Sequence, residues 1–406
     1  MSHKKNSFFK SLNKWPLKIV PISIVLLGFL SLGINIGNGN ISISQSPSVN
    51  NHLSSNINYS SVNQLYNIIK QNYDGKLTDQ QVLDGLKAGL AQAAKDPYTE
   101  YFSSKDAQAF NSEISGSFSG IGAEMGKNSQ GQIIVVSPIA GFPASKAGLK
   151  AQDIIANING KSTANLSVDA AVTEIRGPKD TFVTLDIVRG GNQQLSFKIK
   201  RDTITIPSVT SKILDGNIGY IQISQFTEDT ASLSAKAAEQ FKTSKVNGVI
   251  LDLRGNPGGL VDAAVSVCNL WLSPGQTILK EKSGDVVLQT YTASGTKNTL
   301  KGIPTVVLLD GGSASASEIT AGALHDNKAA TIVGEKSYGK GVVQQIYNLK
   351  DGAEAKITIA KWYRPNGQNI NKVGISPDKK VTISADDIKN KNDTQLNSAL
   401  TFLKVN

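Results

Sequence analysis

Two short stretches in the second half of the chain hold the side chains best suited to covalent chemistry, TVVLLDGGSASASEITAGALHDN at 305–327 and EKSYGKGVVQQ at 335–345. The first reads as an apolar strand, a small-residue turn and a helix, which puts Ser313, Ser315 or Ser317 near a helix start. There, free backbone N–H groups and the macrodipole stabilise both an attacking alkoxide and the oxyanion it creates. The same position suits a plain N-cap serine, so the turn alone leaves both roles open. A nucleophilic serine also needs a base. His325 lies on the same predicted helix, roughly 15 Å along its axis from the serines, too far to be the partner. A lysine serves if burial among apolar groups lowers its pKa. Lys340, set between two glycines and followed by Val342 and Val343, offers that setting, whereas Lys336 reads as a solvated lysine. The Ser-x-x-Lys spacing of Ser337 and Lys340 recurs at Ser7 with Lys10 and at Ser11 with Lys14, and Gly339 disfavours the helical turn it requires, so it is rejected.

A third stretch, LDLRGNPGG at 251–259, is a strand running into a Gly-rich turn and a helix. No Gly-x-x-x-x-Gly-Lys is present there, so it is not a phosphate loop. Gly258 or Gly259, lacking Cβ, could aim an N–H at a scissile carbonyl oxygen; a structural turn is the alternative. Other chemistry is excluded by composition. The single cysteine, Cys268, sits in the apolar stripe AAVSVCNLWL and reads as core packing, and one thiol rules out intramolecular disulfides and multi-cysteine metal sites. Three histidines, His3, His52 and His325, are too few and too scattered for a three-His metal site. The net charge of +10 over 406 residues contains five lysines before residue 19 and no acid among them, which leaves +5 for the rest. That is a mild bias, not a nucleic-acid-binding stripe.

The elements that must position these residues begin at the amino terminus. Residues 19–36, IVPISIVLLGFLSLGINI, are uncharged and as a helix would extend about 27 Å, close to a bilayer's hydrocarbon thickness. The upstream lysines place the tail at 1–18 in the cytoplasm and the remainder outside. No small-x-small cleavage site follows cleanly, so the run reads as an uncleaved anchor and not as a signal peptide. Residues 37–60 are rich in Asn, Ser and Gly and read as a tether. Val62, Leu65, Tyr66 and Ile69, then Val82, Leu83, Leu86 and Leu90, mark two helices of a small region at 61–113, whose helical part Asp96 and Pro97 end before a Ser, Asp and Gln-rich stretch. Short β-rich runs at 133–139, 153–160, 181–190 and 195–202, with a helical stripe at Val168, Ala171, Val172 and Ile175, make a compact β-barrel over 114–202. Its order of elements resembles a PDZ domain, which implies that Gly120, Ile121 and Gly122 form the loop receiving a peptide's terminal carboxylate. From 203 to 380, strands at 218–224, 248–254, 305–310, 330–335 and 355–363 alternate with helical stripes near 230–243, 259–272 and 315–327, predicting an α/β sheet covered by helices. A C-terminal segment at 381–406 completes the chain.

Together, GGSASASEI at 311–319, EKSYGKGVVQQ at 335–345, LRGNPGG at 253–259, YRPNGQNI at 363–370 and GISPD at 374–378 resemble the carboxy-terminal processing peptidases, or tail-specific proteases. The resemblance runs from about residue 60 to the end. It implies a multi-domain α/β protein, a helix-covered mixed-sheet peptidase core with an inserted PDZ domain, acting as a serine endopeptidase. By it, Ser315, three positions before Glu318, is the nucleophile, Lys340 the general base and Gln344 the residue that orients Lys340. The oxyanion hole is implied to be the N–H of Ala316 with one N–H from Gly258 and Gly259. Arg176, in IRGPKD, matches a PDZ arginine that couples peptide arrival to the active site, although Asp180 stands where the family usually has Gly. His325 replaces a common Gln and reads as a tolerated helix-surface position, and Lys95 replaces the usual Leu before Asp-Pro. The expected partners are protein or peptide substrates with accessible C-terminal tails, and the membrane through the N-terminal helix. Nucleic acid is not expected, no metal or cofactor is required, and homo-oligomerisation stays open. The competing reading is a catalytically silent PDZ-type adaptor.

Overall fold

The computed structural model describes residues 56–295 and 298–405. The anchor expected at 19–36, and most of the tether, lie outside the described residues. Among the described residues no helix is long and apolar enough to cross a membrane. The chain divides into two compact units, residues 1–78 and 79–406. In the first, Ser60–Asn72 is helical as its apolar spacing requires, with Val62, Leu65 and Ile69 exposed.

The second unit is built around a six-stranded sheet in the order Val209–Leu214, Ile218–Ile223, Gly248–Asp252, Thr305–Leu309, Thr331–Gly334, Lys379–Lys380. The first pair is antiparallel and the others parallel. Gly248–Asp252 and Thr305–Leu309 are buried along their whole length, which is why they read as unbroken apolar runs: a parallel sheet is covered on both faces. Val249, Leu251, Val307 and Leu309 face the helices Thr230–Thr243, Val261–Cys268 and Ala316–Asp326. Their alternates Ile250, Val306 and Leu308 face Ala399 and Leu403 of the helix Thr394–Val405. The C-terminal segment is therefore the second layer of the core. Cys268 is fully buried, as its apolar stripe requires.

The run at 355–363 is not a further strand of that sheet. Glu354–Tyr363 belongs to a separate antiparallel sheet with Glu100–Phe102, Val342–Asn348 and the hairpin Thr277–Ser283 with Val286–Thr292. The register between Val342–Asn348 and Glu354–Tyr363 slips between Val343 and Gln344, a β-bulge at Ile359. Between the helix Asp79–Gln92 and residue 116 lies one more helix, Ser104–Ile114, where the sequence showed only a polar stretch.

Residues 123–200 carry their own core of Ile133, Val135, Ile155, Val183, Leu185 and Ile187 against Ala171 and Ile175. The sheet order is Ala123–Lys127, Ile133–Pro138, Ile154–Ile158, Phe182–Arg189, Gln193–Lys200, with the helix Val168–Ile175 alongside. A two-stranded ladder, Ser117–Gly120 with Asp202–Thr205, closes the entry and exit of this domain.

Candidate active site

Of the three serines at the start of the helix Ala316–Asp326, two are consumed by structure. Ser313 is fully buried; its Oγ donates to the Leu253 carbonyl at 2.8 Å and accepts the Asp310 N–H at 3.0 Å. Ser317 is equally buried, and its Oγ donates to the Asn256 carbonyl at 3.0 Å. Ser315 alone is partly exposed, at the N-cap, with φ 53° and ψ −114°. Such a backbone costs of order 1–3 kcal/mol and persists only where its surroundings over-determine it.

Those surroundings are a carboxylate and a glycine turn. Glu318, fully buried one turn into the helix, accepts four hydrogen bonds. Its Oε2 takes the N–H groups of Ser315 and Lys340, both at 2.9 Å, and its Oε1 takes Gly339 N–H at 2.8 Å and Ser337 Oγ at 2.5 Å. One buried carboxylate thus ties the serine's backbone to the loop that carries the lysine. Burial pushes its pKa above the ordinary glutamate value, although every donor pulls the other way. Ser337 also accepts the Ile375 N–H at 2.7 Å, so its hydroxyl is wholly occupied, in keeping with the rejection of the Ser337–Lys340 spacing.

The glycine turn packs beneath the nucleophile. A Cβ on Gly258, whose φ is +104°, would lie 2.7 Å from Ser315 Cβ and 3.0 Å from Ala316 N, so only glycine fits. Asn256, fully buried, shapes the turn: its Nδ2 donates to the Ile223 carbonyl and its Oδ1 accepts Gly258 N–H at 2.9 Å. Its own carbonyl accepts Ala314 N–H at 3.0 Å, joining the turn to the serine loop. Because Gly258 N–H is taken, the N–H that the turn can offer a ligand is that of Gly259, alongside that of Ala316, which has no partner among the described residues.

Lys340 is held by its backbone while its amine stays uncommitted. Beyond the bond to Glu318, its carbonyl accepts the Trp362 indole N–H at 2.9 Å. The flanking glycines have a steric reason: a Cβ on Gly339 would meet Gly374 N at 2.8 Å and one on Gly341 would meet Asn371 N at 2.5 Å. The ammonium lies 5.3 Å from the centroid of the Tyr98 ring. Among the described residues it forms no ion pair, and no hydrogen bond joins it to Ser315 Oγ. Burial, then the positive charge of Lys356, lowers its pKa below the ordinary lysine value, against the pull of Glu100 and Asp96. Gln344 does not bond to Lys340; its Nε2 donates to the Tyr98 carbonyl, which leaves Oε1 as an acceptor.

The remaining motifs are structural. Arg364 of YRPNGQNI donates to Asp326, with an Nη2 to Oδ1 distance of 2.5 Å, and approaches His325 Nδ1 at 3.1 Å; His325 Nε2 lies 3.0 Å from Asp378 of GISPD. They clamp the far end of the nucleophile's helix, so His325 is a network member and not a bare surface position. In the smaller domain, Ile121 is buried and Gly122 sits at φ +73°, where a Cβ would strike Phe142. Their carbonyls accept Ala144 N–H at 2.7 Å and Ile139 N–H at 2.9 Å. Gly120 ends the strand Ser117–Gly120, and the edge strand Ala123–Lys127 follows the loop. The exposed Arg176 lies over the Phe118 ring at 4.6 Å, beside Gly120, without an ion-pair partner among the described residues. Sequence reasoning passed over Tyr98, whose ring faces the lysine, and the Asp96 and Thr99 that close its turn; the Asp-Pro-Tyr-Thr run, an acid followed three residues later by a hydroxyl, was the available signal.

The fold is a mixed α/β core joined to a smaller domain with its own sheet and core, and comparison with known proteins gives each a family. The model of peptidase family S41 matches residues 217–381 and that of the PDZ domain residues 109–188. The chain is 39% identical over 365 residues to "Carboxy-terminal processing protease CtpA" of Bacillus subtilis, covering 90% of this chain and 76% of that one. It is 38% identical over 316 residues to "Probable CtpA-like serine protease" of Staphylococcus haemolyticus, covering 78% of this chain and 63% of that one. A solved S41 protease candidate from Bacteroides fragilis shares the fold, at a TM-score of 0.54 and 17% identity over 87% of this chain and 98% of that one. The chain belongs to peptidase family S41, the carboxy-terminal processing serine peptidases.

Proposed function

We propose that this chain is a membrane-tethered endopeptidase working outside the cytoplasmic membrane, in which Ser315 and Lys340 form the catalytic dyad. The residues 120–122 loop receives the terminal carboxylate of a protein tail, and the tail adds as a strand to the edge Ala123–Lys127 beside the helix Val168–Ile175. Ser315 Oγ attacks an internal peptide carbonyl while the neutral Lys340 amine takes the hydroxyl proton. The N–H groups of Ala316 and Gly259 hold the oxyanion. The ammonium then returns its proton to the leaving amine, giving an ester on Ser315. A water that loses a proton to Lys340 hydrolyses the ester and frees the serine. Catalytic hydrogen bonds in unliganded enzymes are often long and tighten with substrate, which is how the amine reaches the hydroxyl. Gln344 Oε1, not engaged by the bond that Nε2 makes to the Tyr98 carbonyl, is the acceptor we assign to steadying that amine during the reaction.

One observation carries this reading: a half-buried lysine with no counter-ion among the described residues and a lowered pKa shares a buried carboxylate, Glu318, with the one serine of three that is partly exposed. The tether rests on the lysine-flanked apolar run at 19–36. Ser315→Ala and Lys340→Ala should each abolish cleavage of an unstructured protein such as casein while leaving the thermal transition intact. Full turnover in either variant removes the dyad.

A further inference from the structure

The segment 96–102 sits against the base, and nothing in the proposed mechanism uses it. It is fastened by three independent ties. Glu100–Phe102 pairs antiparallel with Glu354–Tyr363, in the register Glu100 to Lys356. The bulge at Ile359 breaks the ladder locally, and the neighbouring Thr358 N–H donates to Thr99 Oγ1 at 3.2 Å. Thr99 Oγ1 in turn donates to Asp96 Oδ2 at 2.7 Å, closing the Asp-Pro-Tyr-Thr turn on itself. The third tie is the bond from Gln344 Nε2 to the Tyr98 carbonyl. What all three hold in place is the Tyr98 ring, half-buried, with the Lys340 ammonium 5.3 Å from its centroid.

We infer that Tyr98 is a positioning residue for the general base: its ring is the wall that keeps the Lys340 side chain out of water and aimed along the cleft toward Ser315. This rests on the Ser315–Lys340 reading above and adds to it a part of the chain more than 200 positions away from either residue. The physical case is one of competing effects. An aromatic face attracts an ammonium, by about 0.5–2 kcal/mol. The same ring removes water from the amine, and burial is the largest influence on Lys340, ahead of every charge near it. Those charges are Lys356 on Glu354–Tyr363, and Glu100 and Asp96 on the Tyr98 segment itself. Lys356 is ion-paired to Glu100 and lies over the Phe102 ring at 5.1 Å, so the segment also holds the cation that favours the neutral amine. Burial is what chiefly lowers the Lys340 pKa, so a wall that adds to that burial promotes the base form. The ring, not the hydroxyl, does this: the Tyr98 phenol donates to no group among the described residues.

The test compares Tyr98→Leu and Tyr98→Phe with wild type and Lys340→Ala, measuring kcat and KM on an unstructured protein substrate and kcat/KM against pH. Tyr98→Leu should lower kcat about tenfold, part of the range a positioned base contributes. It should leave KM near its wild-type value and move the acid limb of kcat/KM to higher pH, because a better-hydrated amine holds its proton longer. Tyr98→Phe should keep the wild-type profile. Should Tyr98→Leu fail to fold, Thr99→Val, which releases the turn and leaves the ring, must show the same displacement of the acid limb. A wild-type kcat and pH profile in the folded ring variant, or in Thr99→Val where it replaces it, overturns the inference while Lys340→Ala is inactive. An active Lys340→Ala overturns the dyad itself.

Discussion

Replacing Glu318 probes the joint between nucleophile and base. Its four donors have no water to turn to, since the carboxylate is fully buried. In Glu318→Gln the amide's favoured orientation keeps its oxygen on the N–H groups of Ser315 and Lys340, because Ser337 can rotate its hydroxyl to accept from the new NH2. Gly339 N–H is then stranded and the Ser337 O–H has lost its acceptor, each at a cost of about 1–3 kcal/mol. Glu318→Ala strands the three backbone N–H groups, about 3–9 kcal/mol on the same scale, comparable with the whole stability of a domain. Urea unfolding followed by tryptophan fluorescence should therefore show a lower midpoint for the Gln variant and little folded protein for the Ala variant. Turnover should fall in the Gln variant even where it is fully folded, because the Lys340 loop no longer shares a charged anchor with Ser315. A Gln variant with the wild-type urea midpoint and wild-type kcat would refute the role given to this carboxylate.

Two further outcomes follow from the same geometry. Gly258→Ala places a methyl 2.7 Å from Ser315 Cβ at a φ of +104°, so it should cut kcat by about 100-fold or more in a protein that still folds; near-normal turnover would show that the turn does not set the serine. Lys340→Met should raise the melting temperature. The folded-state pKa of Lys340 lies below its ordinary 10.5, so the folded protein binds the proton less well than the unfolded one and wild-type stability rises with pH between the two values. The gain from Met is thus largest below the folded-state pKa and shrinks as pH climbs toward 10.5; a gain independent of pH would contradict a buried amine.

Much of this was legible because some physics is local. Gly248–Asp252 and Thr305–Leu309 announce themselves as apolar runs since both of their faces are covered. The helix start at Ala316 and the turn at Gly258 follow from residue type. What was not legible depends on distant partners. The hairpin Thr277–Ser283 with Val286–Thr292 has an edge strand whose Val286, Val287 and Leu288 are 64%, 49% and 53% exposed, so no alternation marks it. Ser104–Ile114 offers only Ala107, Phe110 and Ile114 as an apolar stripe. The choice among Ser313, Ser315 and Ser317 was undecidable from spacing, because the acceptors that consume two of them, Leu253 and Asn256, lie about 60 residues upstream. Thr99 meets Thr358 across 259 positions, so its turn carried no visible purpose.

The most direct measurement is the rate at which a fluorophosphonate modifies the purified protein, followed by intact-protein mass spectrometry and peptide mapping. A single adduct should appear on Ser315, at a rate that rises with pH through one ionisation and falls by about 10²–10⁴ in Lys340→Ala. An adduct on another residue, or an unchanged rate without the lysine, would contradict the account.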